Sequence, residues 1–98
     1  MVETIQKLVT KKTGAALLEK HGIEVIHYLP GRVRVKVLNW QAREGQLMGL
    51  LQEAREDPEI ISATFTKETG SALIHYNKDA VKKISTLHRW KTVVEKYI

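Results

Sequence analysis

The sequence predicts an α+β sandwich, with two helices laid on one face of an antiparallel sheet. Three stretches carry that reading: the alternating run Arg32-Val33-Arg34-Val35-Lys36-Val37, the leucine-spaced segment 47–54, and two runs of strand formers joined through Lys67-Glu68-Thr69-Gly70 ahead of a closing amphipathic segment. A period of two marks a strand with one dry and one wet face, and an i, i+3, i+4 period marks a helix with one apolar stripe.

Taken in order, Val2, Ile5, Leu8 and Val9 fall at helical spacing, and residues 15–20 resume the helix after Gly14 until Gly22 stops it. Residues 1–22 are therefore expected to form a helical extension that covers one side of the core of a domain occupying residues 23–98. Ile23, Val25, Ile26, Tyr28 and Leu29 read as extended chain up to Pro30-Gly31, and the alternating run follows. The Pro-Gly step should kink or bulge the chain, giving either one long bulged strand or two short ones. Val33, Val35 and Val37 should enter the core, which leaves Arg32, Arg34 and Lys36 as a cationic row on the wet face.

Asn39 is the expected N-cap of a helix whose apolar face is Leu47, Leu50, Leu51 and Ala54 and which ends before Pro58. Gly45 and Gly49 weaken that helix or admit another part of the chain close by. Residues 60–66 and 71–77 make a β-hairpin, with Ala63, Phe65, Ala72, Ile74 and Tyr76 on one face and Thr64, Thr66, Leu73 and His75 on the other. Asn77 or Asp79 should cap a last helix faced by Val81, Ile84, Leu87, Trp90 and Val94. Its tail, residues 91–98, is rich enough in strand formers to compete as a fourth strand. Strand, helix, strand, strand, helix is the order of a ferredoxin-like sandwich.

Composition narrows the functions this fold can serve. The 98 residues suffice for one modest core. There is no cysteine, so disulfides, thiolate metal sites and cysteine nucleophiles are excluded. No apolar run approaches a membrane span and the N-terminus lacks the features of a signal peptide, so a cytoplasmic protein is expected. The net charge of +5 is uneven: residues 1–39 carry +4, residues 40–60 carry −3 and residues 61–98 carry +4. Such a balance suits nucleic acid, an anionic membrane surface or an acidic protein as partner.

The individual residues favour binding over chemistry. Neither a nucleophile beside a base, nor a Gly-rich phosphate loop, nor convergent carboxylates can be located, so no catalytic residue and no cofactor are expected. His27 and His75 would be neighbours if the first strand lay beside the hairpin's second strand, but a third metal ligand is not evident and a structural role is the commoner one for such histidines. Phe65 and Tyr76 fall on the buried parity, away from the cations, which makes single-stranded nucleic acid the second choice of partner. Trp40 should cover the end of the acidic helix or meet a partner.

The stretches Ile26-His27-Tyr28-Leu29-Pro30-Gly31-Arg32-Val33-Arg34-Val35, Asp57-Pro58-Glu59-Ile60 and Glu68-Thr69-Gly70-Ser71-Ala72-Leu73-Ile74-His75-Tyr76-Asn77 resemble the cysteine-less branch of heavy-metal-associated domains. The resemblance covers roughly residues 23–85. It implies a small ferredoxin-like domain at work in bacterial metal homeostasis, free-standing or attached to metal-transporting P-type ATPases. Metal-carrying members place a Cys-x-x-Cys pair after the first strand, where this chain has Leu38-Asn39-Trp40-Gln41-Ala42-Arg43-Glu44 and so no soft ligand for copper(I). The expected function is thus protein contact through Pro30, Gly31, Arg32, Arg34 and Lys36, with a transporter's soluble part as the implied partner and nucleic-acid binding as the alternative. If the last helix runs to the C-terminus, one side of the first strand is left unpaired, and a homodimer or another strand is expected to cover it.

Overall fold

The computed structural model describes residues 19–97. Of the expected N-terminal helix only Glu19 and Lys20 fall within that range, and both are helical; residues 2–18 lie outside the described residues. The chain then forms β1 (Ile23–Leu29), β2 (Arg32–Val37), α1 (Glu44–Arg55), β3 (Ile60–Thr66), β4 (Ser71–Tyr76) and α2 (Ile84–Tyr97), with 3-10 turns at Trp40–Arg43 and Ala80–Lys82. The strands make one antiparallel sheet in the order β1-β2-β4-β3. The molecule is an α+β domain with a four-stranded sheet and two helices.

The Pro-Gly step is a hairpin turn, which resolves the choice between one strand and two. Leu29 pairs with Arg32, so Pro30 and Gly31 are the central residues, and Gly31 has φ 85°. Proline followed by a positive-φ glycine is the combination a type II turn requires. A side chain at Gly31 would also bring a Cβ to 3.2 Å from the Tyr76 carbonyl oxygen, and the Tyr76 N–H donates to the Gly31 carbonyl at 2.9 Å. The bulges lie elsewhere, between Val25 and His27 in β1 and between Ile60 and Ser62 in β3. Each sits on an edge strand, and its extra residue, Ile26 or Ile61, is exposed.

The core lies between the sheet and the helices. Ile23, Val35, Val37, Ala63 and Ala72 from the sheet meet Leu47 and Leu51 of α1, and Val25, Val33, Ile60, Phe65 and Ile74 pack around them half-buried. The alternation read from the sequence holds on both β2 and the β3–β4 hairpin. Trp40 shuts one end of this core, edge-to-face on Phe65 with ring centroids 5.2 Å apart and close against Gly70, where a Cβ would stand 3.2 Å from its ring.

One open choice is resolved and three expectations are corrected. Residues 91–97 are helix, because Tyr97 anchors the end of α2: its hydroxyl donates to Glu53 Oε1 at 2.8 Å and its ring lies over Gly49. The fourth strand is supplied from the other direction, by β1. Asn39 does not cap α1; it is left-handed with φ 56° and precedes the 3-10 turn, and α1 starts at Glu44. A second 3-10 turn likewise separates Asn77 and Asp79 from α2, the Asn77 side chain accepting the Asp79 N–H at 3.1 Å instead. Ile84, expected on the apolar face of α2, is exposed, and Thr86 is buried. β2 is flanked by β1 and β4, so among the described strands the unpaired side of the first strand is the outer edge of β1.

Candidate interaction surface

The register fixes what the face of the sheet turned away from α1 and α2 displays. Val33 and Val35 pair with Ile74 and Ala72 toward the helices, so Arg32, Arg34 and Lys36, paired with His75, Leu73 and Ser71, point the other way. Across β1 the same rows continue as Leu29 opposite Arg32, His27 opposite Arg34 and Glu24 opposite Lys36. The expected cationic row therefore exists on one face, along an inner strand with a neighbour on each side. Pro30 and Gly31 stand at one end of it, as the turn that feeds β2.

The charges on the helix side behave differently from those on this face. Arg89 of α2 grips Asp57 with two hydrogen bonds, Nε to Oδ2 at 2.7 Å and Nη2 to Oδ1 at 3.1 Å. That contact, reinforced by the Glu59 N–H, holds the Asp57 carboxyl below its ordinary range despite partial burial. Glu53 accepts from Tyr97 and from Lys96, which lowers its pKa in the same way, and Lys83 stands 3.7 Å from Glu59. Two carboxylates of the acidic middle segment, Glu53 and Asp57, thus fasten α2. Among the described residues no carboxylate lies within ion-pair distance of Arg32, Arg34 or Lys36. Arg32 Nε is withdrawn from water and has no acceptor among the described residues.

His27 and His75 share this face but do not adjoin. β2 runs between their strands and their register differs by two residues, so their backbones are about 12 Å apart. His27 pairs with Arg34 and His75 with Arg32, so a cation faces each imidazole. Among the described residues no group of three His, Asp or Glu is placed to hold a metal ion.

Aromatic rings are missing from the described strands of this face. Tyr28 pairs with Val33 and turns inward, Tyr76 is buried against Trp90 with centroids 5.6 Å apart, and Phe65 lies under Trp40. Burial, together with the neighbouring Tyr28 hydroxyl, pushes the Tyr76 phenol above its ordinary range.

The connection from β2 to α1, where the resembled metal carriers keep their thiolates, is occupied by structural side chains. Trp40 caps the core, and Arg43 Nη2 donates to the carbonyls of Gly22 at 3.3 Å and Leu38 at 3.2 Å. Sequence reasoning left Trp40 undecided and did not single out Arg43; a basic residue in the last turn of the 3-10 segment is the only signal it gives. No family model, curated protein or solved structure shows significant similarity to this chain.

Proposed function

We propose that this chain is a non-enzymatic ferredoxin-like interaction module, of the cysteine-less heavy-metal-associated kind, that binds an acidic surface of a protein partner through the face of its sheet turned away from α1 and α2. The observation that carries the reading is the row Arg32, Arg34 and Lys36 on an inner strand, with no carboxylate of the described residues within ion-pair distance, whereas Lys67, Lys82, Lys83, Arg89 and Lys96 are each paired. A preformed row of cations steers and orients an anionic partner without ordering itself first. The strand order supports the ferredoxin-like assignment: β2-α1-β3-β4-α2 supplies the sandwich, and β1 takes the edge place of its usual last strand. The metal-homeostasis setting and a transporter's soluble part as partner rest on the resemblance of residues 23–85. The lack of exposed rings on the face argues for an acidic protein over single-stranded nucleic acid, which is held by stacking as well as charge.

The test is a titration of labelled protein with an Asp/Glu-rich peptide and, separately, with a single-stranded oligonucleotide of equal charge, followed by amide shifts. Peptide binding is expected to move residues 32–36, 73 and 75, to weaken with added salt, and to vanish in the double variant Arg32→Glu, Arg34→Glu. Tighter binding of the oligonucleotide, with the same residues shifting, would replace this reading by the nucleic-acid one. Silence toward both would leave the row without a function.

A further inference from the structure

The strand β3 closes the β4 side of the sheet, and its own residues give that edge no protection. Ile60–Thr66 holds no charged residue, no proline and no glycine, and Ile61 is 74% exposed at the bulge. Edge strands are usually blunted by a lysine, a proline or a covering element, because their unpaired backbone groups invite a further strand. Among the described residues no strand lies beyond β3.

The hydrogen bonds around β4 show which groups of β3 face outward. The Tyr76 N–H donates to the Gly31 carbonyl in the β1–β2 turn, and the Asn77 N–H donates to the Glu59 carbonyl. Backbone groups alternate in direction along a strand, so Ser71, Leu73 and His75 bond to β3, opposite Thr66, Thr64 and Ser62. Ala63 and Phe65, opposite Ile74 and Ala72, therefore turn their N–H and C=O groups away from the sheet. One of these outward groups is already taken. Arg55, the last residue of α1, donates from Nε to the Ala63 carbonyl at 2.8 Å. It belongs to none of the ion pairs among the described residues, so its charge stays at the edge.

We propose that the outer edge of β3 is a self-association surface for a second copy of this chain, and that Arg55 holds it shut. A guanidinium at the middle of the strand bars an incoming strand twice over. It occupies the acceptor that a ladder needs, and a second copy arriving about a two-fold axis brings its own Arg55 to the same side of a seam about 5 Å wide. Without that charge β3 is complementary to itself. Antiparallel pairing of two copies sets threonine and alanine against one another with no like charges opposed, and cross-strand threonine pairs are favourable. The bulge at Ile61 confines the ladder to the second half of the strand, which is why one side chain suffices to block it. This inference does not depend on the partner proposed for the cationic face.

The test compares the whole chain with Arg55→Ala by light scattering and amide hydrogen exchange at rising concentration. In Arg55→Ala the mass should double relative to the parent, and the amides of Ala63 and Phe65 should exchange about tenfold more slowly. Arg55→Lys keeps a cation and a donor at the edge and should behave as the parent. Adding Ile61→Lys to Arg55→Ala should restore the parent's mass, since a lysine on the edge keeps the second strand away. If Arg55→Ala does not melt cooperatively, Arg55→Gln decides in its place. A neutral variant that matches the parent in mass and exchange overturns the proposal. So does one that associates while Ala63 and Phe65 remain unprotected, or whose association survives Ile61→Lys.

Discussion

Gly31 shows how much of this domain depends on single positions. Its φ of 85° is strained for any residue with a side chain, and a Cβ would stand 3.2 Å from the Tyr76 carbonyl oxygen. Gly31→Ala should cost about 1–2 kcal/mol in chemical denaturation, the price of a left-handed backbone for an L residue. The Pro-Gly pair was visible in the sequence as a break, but its type was not. A bulge and a two-residue turn use the same residues, and only the cross-strand partner of Leu29 distinguishes them. Trp40 was ambiguous for a similar reason: an indole beside a helix start can plug a core or face a partner, and the deciding neighbours, Phe65 and Gly70, are far away in sequence.

At the scale of elements, the crossing of α1 and α2 gives two glycines opposite signs. Gly45 faces open space, so Gly45→Ala should raise stability by up to about 1 kcal/mol through helix propensity alone. Gly49 lies under Tyr97, with a Cβ landing 2.6 Å from Cε1, and Gly49→Ala should lower stability by about 1 kcal/mol or more as the ring is displaced. Parallel denaturation curves of the two variants check the pair. The second fastening of α2 depends on pH. Arg89 depresses the Asp57 carboxyl below its unfolded value of 3.8, so the stabilisation is complete above that value and is lost as pH falls through the lower folded-state pKa. Asp57→Asn should therefore be less stable than the parent at neutral pH and converge with it in strong acid, as read from melts between about pH 2 and 7. These fastenings explain why the strand formers at the end of the chain stay helical. Val93 and Val94 favour a strand locally, but α2 keeps an apolar face toward the sheet and ties its last turn to Glu53.

For the whole molecule, the fold class and five of the six main elements could be read from periodicity, because alternation in β2 and leucine spacing in α1 are local signals. Topology was harder. Which strand fills the edge beside β2 depends on pairing, and the sequence left open whether residues 91–98 or a split of the first extended stretch would supply it. The cationic row was legible residue by residue, since its face follows from parity, whereas the separation of His27 from His75 by an intervening strand did not follow from any spacing. The same division predicts how the row responds to mutation. Arg32→Glu with Arg34→Glu removes no ion pair among the described residues, so its unfolding free energy should stay within about 1 kcal/mol of the parent while binding is lost. A collapse of the fold in that variant would instead make the arginines structural.

The turn at Pro30-Gly31 also bears on the order in which the sheet is assembled. An edge strand contributed by the far end of the chain would have to wait for every other element and close a loop of most of the domain. Here the edge is joined to its neighbour by two residues, so β1 and β2 can pair on the microsecond timescale of hairpins, before β4 arrives on the other side. β2 is thereby supported from its first moments, and the slow step of folding is expected at the long-range pairing of β2 with β4.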